Sequence, residues 1–96
     1  MARRYAARID DNQTEIVSAL RKVGATVAIS SAVGCGYPDL TVGFRGRNYL
    51  IEIKDGRKAA SKQKLTPDQV TWHDRWRGQV AVANSIDEAL KVIGAV

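Results

Sequence analysis

At 96 residues, with 45% hydrophobic and 26% charged side chains, the chain is expected to form one domain spanning 1–96 around a modest core, which leaves no room for a second. Fifteen basic residues against ten acidic ones leave a net charge of +5, which favours an anionic partner, nucleic acid first. A lone Cys35 excludes an internal disulfide and a thiolate zinc site; without an eighteen-residue apolar run or an apolar leader, no membrane partner and a cytoplasmic location are expected.

Residues 1–11 read as a basic arm, with Arg3, Arg4 and Arg8 preceding Asp10 and Asp11. Arg3 and Arg4 are candidate phosphate contacts, although a frayed basic terminus is the more frequent explanation for three arginines. A first helix is predicted from about Asn12, which can cap while Glu15 returns the bond as in a capping box. Ile16, Val17, Leu20 and Val23 give it an apolar stripe, and Gly24 ends it. Ala25–Ser31 then has strand composition, with Thr26 to Ile29 as its body. Ser30–Pro38 is a loop rich in turn formers, in which Gly34 and Gly36 flank Cys35. It lacks the spacing of a phosphate-binding P-loop, and no histidine stands near Cys35 to support a thiolate nucleophile.

The stretch from Tyr37 to Lys54 is the most informative. Leu40, Val42 and Phe44 alternate with Thr41 and Gly43; beyond Arg45-Gly46, Tyr49, Ile51 and Ile53 alternate with Leu50, Glu52 and Lys54. This predicts two strands joined by a tight turn. With Arg45 and Gly46 as a two-residue loop, Phe44 pairs with Arg47, and counting outward sets Asp39 opposite Glu52. Directly opposed residues hold their Cβ atoms about 4.5–5.5 Å apart, so both carboxylates can reach one divalent cation, and Lys54 shares their face. A three-residue loop with a bulge would shift the pairing by one. Hard carboxylate oxygens suit Mg2+ or Mn2+, and beside such an ion Lys54 can orient a water or counter phosphate charge, as metal-assisted phosphodiester hydrolysis requires. The bland alternative is a solvated strand face bearing an ordinary Glu52–Lys54 pair.

After Lys54 come Arg57, Lys58, Lys62 and Lys64, which are candidate phosphate contacts because they follow the proposed site directly. A second helix is predicted from Thr66 to about Arg77: Thr66 caps, Pro67 takes the first helical position, Gln69 closes a capping box, Leu65 staples against Val70, and Gly78 stops it. Trp72 and Trp76, four residues apart, are expected in the core or a subunit interface, with base stacking as the lesser reading. His73, the sole histidine, is expected to pack rather than act as a base. Gln79–Ala83 gives a short fourth strand. Ser85–Glu88 opens a third helix with another capping box, Leu90 and Ile93 face inward, and Gly94 closes it. The predicted order is α-β-β-β-α-β-α, an α/β chain with a small mixed sheet flanked by helices.

Pro38-Asp39, twelve intervening residues and then Glu52-Ile53-Lys54 resemble the signature of the PD-(D/E)XK nuclease superfamily in its restriction-endonuclease-like form. Over nearly its full length the chain is similar to the stand-alone virus-type replication-repair nuclease (VRR-Nuc) branch. The resemblance implies a Mg2+-dependent endonuclease, with Mn2+ as substitute. In it Asp39, Glu52 and the Ile53 backbone carbonyl would be metal ligands, Glu15 a helix-borne third carboxylate, Lys54 the residue positioning the nucleophilic water, and Gln69 its support. It implies homodimers acting on branched DNA such as four-way junctions, in a phage-type protein of a host cell or a bacterial cytoplasm. This chain departs in being close to a minimal core with no separate DNA-reading domain, which puts shape recognition in place of sequence recognition. The rival reading is a non-catalytic nucleic-acid-binding adaptor; an intact Asp39, Glu52 and Lys54 argues against it.

Overall fold

In a computed structural model, which describes residues 10–96, the chain runs α1 (Gln13–Lys22), β1 (Thr26–Ile29), β2 (Leu40–Phe44), β3 (Arg47–Ile53), α2 (Pro67–Arg75), β4 (Ala81–Ala83) and α3 (Ile86–Val92). Single 3-10 turns interrupt the loops at Ser31–Val33 and Ala60–Lys62. The order is the predicted α-β-β-β-α-β-α, with a small mixed sheet flanked by helices as in the restriction-endonuclease-like fold. The arginines of the basic arm, Arg3, Arg4 and Arg8, lie outside the described residues.

The sheet order is β1-β2-β3-β4, antiparallel across the first two junctions and parallel at β3–β4. A parallel junction needs a crossover, and α2 lies in it. The meander is set by the hairpin turn, where Arg45 and Gly46 both take positive φ, 52° and 79°. That is the backbone of a two-residue turn whose twist matches the flanking strands. It pairs Phe44 with Arg47 and Leu40 with Ile51, so the count continues to Asp39 beside Glu52, as expected.

One apolar face of the sheet, built from Val27, Leu40, Val42, Phe44, Ile51, Ile53 and Ala83, packs against Ile16, Val17 and Leu20 of α1 and Ala89 and Ile93 of α3. The two-residue period of β3 sends Leu50 and Glu52 to the other face. That second face is not solvated: Glu52 is 2% exposed, Lys54 7% and Asp39 9%. The bland expectation of a wet strand face therefore fails at the end of the hairpin.

Two local expectations are corrected. Asn12 has helical backbone angles and no side-chain cap bond. Its buried amide reaches instead across the fold, donating from Nδ2 to the carbonyls of Lys54 at 3.1 Å and Asn84 at 3.2 Å. The α2 stripe expected to bury Trp72 and Trp76 is not core, for α2 buries no residue and Trp76 is 41% exposed. The two indoles stack on each other at 4.6 Å, and Trp76 Nε1 donates to the Gln79 carbonyl at 3.0 Å.

Candidate active site

The strand pairing that sets Asp39 beside Glu52 opens a cavity of about 230 Å3 at the end of β3, lined by Asp10, Asp39, Glu52, Ile53, Lys54, Ser61, Lys62, Lys64, Thr66 and Gln69. Asp39 leaves the loop just before β2 with its backbone held by the residue that follows β1: the Ser30 N–H donates to the Asp39 carbonyl at 2.7 Å, and Ser30 Oγ donates to the Pro38 carbonyl at 2.9 Å. Its carboxylate accepts the Ile53 N–H at 2.8 Å on Oδ2 and the Ser31 hydroxyl at 3.3 Å on Oδ1.

Gln69 ties α2 to this cavity. At the start of α2, Thr66 Oγ1 accepts the Gln69 N–H at 3.3 Å, and Gln69 Oε1 accepts the Thr66 N–H at 2.9 Å, a complete capping box. The same Oε1 accepts from Lys54 Nζ at 2.9 Å, while Nε2 donates to Glu52 Oε2 at 2.8 Å. Lys54 Nζ stands 3.9 Å from Glu52 Oε2. Because both neighbours of Oε1 are donors and the neighbour of Nε2 is an acceptor, the orientation of the amide is fixed by its surroundings. The side chain that makes the predicted cap on α2 thus also bonds Lys54 and Glu52.

Electrostatically the cavity sets three carboxyl groups, Asp10, Asp39 and Glu52, against three lysines, Lys54, Lys62 and Lys64. Burial, and beyond it the adjacent Asp39 carboxylate, push the Glu52 carboxyl up to about 9 against the pull of Lys54. Burial also raises Asp10, although Lys54 and Lys58 oppose it. Glu52 Oε1 is buried with no hydrogen-bond partner. Among the described residues no three Asp, Glu, His or Cys side chains stand close enough to enclose an ion by themselves. The donors at hand are nonetheless hard oxygens, those of the Asp10, Asp39 and Glu52 carboxyl groups. They fit Mg2+, which is ordinarily held by one or two carboxylates with water and substrate phosphate completing its shell.

Glu15 is not brought to this cavity. It is half-exposed on α1, with Oε1 3.8 Å from Arg57 Nη1, and lines a separate polar cavity with Asn12, Arg57 and Gln63. The helix-end carboxylate that does reach the site is Asp10, whose carbonyl accepts the Gln13 N–H at 3.0 Å in the turn leading into α1. Its signal in the sequence was an acidic pair at a helix N-terminus, where the macrodipole favours carboxylates; grouping it with the basic arm hid it.

The basic loop divides in two. Arg57 wraps the buried Asp55 carboxylate, with Nε and Nη2 each 3.0 Å from an oxygen, and holds it at about 2, below its ordinary range. Lys58 Nζ pairs with Asp11 at 3.4 Å. Lys62 and Lys64, by contrast, line the cavity itself and make no ion pair among the described residues. His73 lies outside the lining; burial and then Lys54 lower its pKa, which keeps it neutral, and its ring packs edge-on to Trp72. A larger cavity of about 410 Å3 is lined by Cys35, Asp68, Thr71, Trp72, Arg75 and Trp76, and Asp68 is the one acid in its lining.

No protein-family model matches the chain, and no curated protein matches it. Among solved structures, one described as a "VRR_NUC domain" is similar to it, with a TM-score of 0.63 and 29% sequence identity over 84% of this chain and 88% of that one. The fold therefore resembles a nuclease-type domain of that description.

Proposed function

We propose, from the likeness of the fold to a VRR_NUC domain, that this chain is a divalent-cation-dependent endonuclease that hydrolyses DNA phosphodiester bonds. The observation that carries the reading is the buried set of Asp39, Glu52 and Lys54, bonded by Gln69, in one cavity rimmed by Lys62 and Lys64. Burying three ionisable groups beside so small a core gains little stability, since desolvation offsets most of the attraction between them, so stability alone does not explain the cluster.

Asp39, Glu52 and the Ile53 carbonyl would hold Mg2+ or Mn2+, with Asp10 at the cavity edge taking the place first expected of Glu15. When bound, the ion supplies a water of lowered pKa and withdraws charge from the phosphate. Lys54, held by Gln69, is placed to orient that water or to counter charge on the phosphate oxygens. Gln69 bonds both Lys54 and Glu52 and so sets their relative placement. Lys62 and Lys64 would seat the backbone of the nucleic acid without reading its sequence. Branched DNA such as four-way junctions, and a homodimer presenting two such sites, are the substrate and assembly the family resemblance favours.

The test is cleavage of labelled linear, flapped and four-way DNA. Cutting is expected in Mg2+ or Mn2+ and none in chelator, with Asp39→Asn and Glu52→Gln each losing most turnover while remaining folded. His73→Ala is expected to keep metal-dependent cleavage when folded. Binding of the whole panel without cutting in either metal would hand the chain to the adaptor reading.

A further inference from the structure

The carboxylate of Asp39 is reached by a chain of buried polar groups that starts on α1. Gln13, 3% exposed, directs Nε2 to Ser31 Oγ at 3.3 Å, and Ser31, 8% exposed, directs its hydroxyl to Asp39 Oδ1 at 3.3 Å. A serine hydroxyl has one proton to give. With that proton committed to the carboxylate, the oxygen can only accept from Gln13, so the relay runs in one direction, from amide to hydroxyl to carboxylate. The other Asp39 oxygen is taken by the Ile53 N–H at 2.8 Å. The two bonds together fix the plane of the carboxylate and hence which lone pairs face the cavity.

Gln13 is poorly explained as a stabilising residue. Its Oε1 is buried with no hydrogen-bond partner, and leaving such a group unsatisfied costs about 1–3 kcal/mol. An apolar side chain of similar length in the first turn of α1 would avoid that cost, since Ile16, Val17 and Leu20 already make the packed face of the helix. We infer that Gln13 and Ser31 are positioning residues that orient Asp39 toward a bound cation. The inference rests on the cation-dependent reading above and assigns α1 a part in the site through Gln13 rather than through Glu15.

The experiment measures Mn2+ affinity by calorimetry, thermal stability, and kcat and KM on DNA for the wild-type protein, Gln13→Met, Ser31→Ala and Ser31→Thr. Partners that orient metal-ligating side chains change affinity or activity by about 10–100-fold when removed. Gln13→Met and Ser31→Ala are expected to weaken Mn2+ binding by about tenfold or more. They should lower kcat with little change in KM for DNA, and Ser31→Thr should restore both because it keeps the hydroxyl. Gln13→Met is expected to melt no lower than wild type, which a purely structural glutamine would not allow. Wild-type Mn2+ affinity in both Gln13→Met and Ser31→Ala, with cleavage intact, overturns the relay and leaves the nuclease reading standing. Relay-sensitive Mn2+ binding in a wild-type protein that cuts no DNA overturns the nuclease reading and leaves the relay standing. Absence of Mn2+ binding in the wild-type protein overturns the relay as a device for orienting a cation ligand.

Discussion

At the residue scale, Gln69 shows how one amide serves a helix end and a buried charge pair at once. A capping box accepts Glu as readily as Gln at its third helical position. Gln69→Glu therefore keeps the α2 start but turns an acceptor toward Glu52 where a donor stood at 2.8 Å. Cleavage is expected to fall at least about tenfold with the helical circular dichroism of the folded protein unchanged. Glu52 itself makes the cation-free protein pH-sensitive. Its carboxyl rises from 4.5 to about 9 in the fold, so between those values the folded protein keeps a proton that the unfolded chain has released. Stability from this group is full below about 4.5 and is lost as pH rises through about 9. Melting curves in chelator should show Glu52→Gln gaining on wild type across that window and matching it at the acid end. Added Mg2+ should stabilise wild type and leave the variant unmoved.

At the element scale, the hairpin turn places a non-glycine residue in left-handed geometry. Arg45 at φ 52° carries about 1–2 kcal/mol of backbone cost, while its guanidinium over the Phe44 ring at 4.8 Å returns about 0.5–1 kcal/mol. The strain outweighs the contact, and asparagine tolerates this geometry, so Arg45→Asn is expected to raise the melting temperature by a few degrees with cleavage unchanged. This turn is also why the register was legible: Arg45-Gly46 is an even loop, and an even loop fixes which residues oppose, down to Asp39 and Glu52. The start of α1 was not legible in the same way. Asn12 followed by Glu15 is the pattern of a cap, and nothing nearby distinguishes a capping amide from one that bonds to carbonyls 42 and 72 residues further on. Glu15 was misplaced with it, since a capping glutamate and one turned to Arg57 share the same local sequence. The exposure of α2 was hidden for a related reason: Trp72 and Trp76 lie four apart whether a core, a partner or only each other covers them. The loop into Asp39 shows what spacing alone does not reveal about glycine. At Gly36, φ is 85° and a β-carbon would collide with the Asp68 carbonyl of α2, so any side chain there would push α2, and Gln69 with it, off the site.

At the scale of the whole molecule, the excess of five positive charges is not spread evenly in its effect. Arg57 and Lys58 are engaged with Asp55, Glu15 and Asp11, whereas Lys62 and Lys64 line the cavity. Neutralising Lys62 and Lys64 together should lower the salt dependence of DNA binding by about 1 to 2 units of slope, equally for all sequences. The same change at Arg57 and Lys58 should lower it by less, and binding curves over a salt series separate the two. Light scattering at micromolar concentration tests the proposed homodimer, for which the exposed Trp76 and Val70 of α2 are the apolar surface at hand. A monomer mass unchanged by branched DNA would remove it. The Asn12 amide, finally, bears on the order of events as the chain is made. It clamps the end of β3 to the residue after β4, across separations of 42 and 72 positions, and β4 can join the sheet only after α2 has crossed over. Contacts of such sequence separation are made late, after the local meander has formed. A growing chain is therefore expected to pair β2 with β3 first, and to gain the Asn12 clamp, with β4 laid against β3, only once Asn84 has emerged.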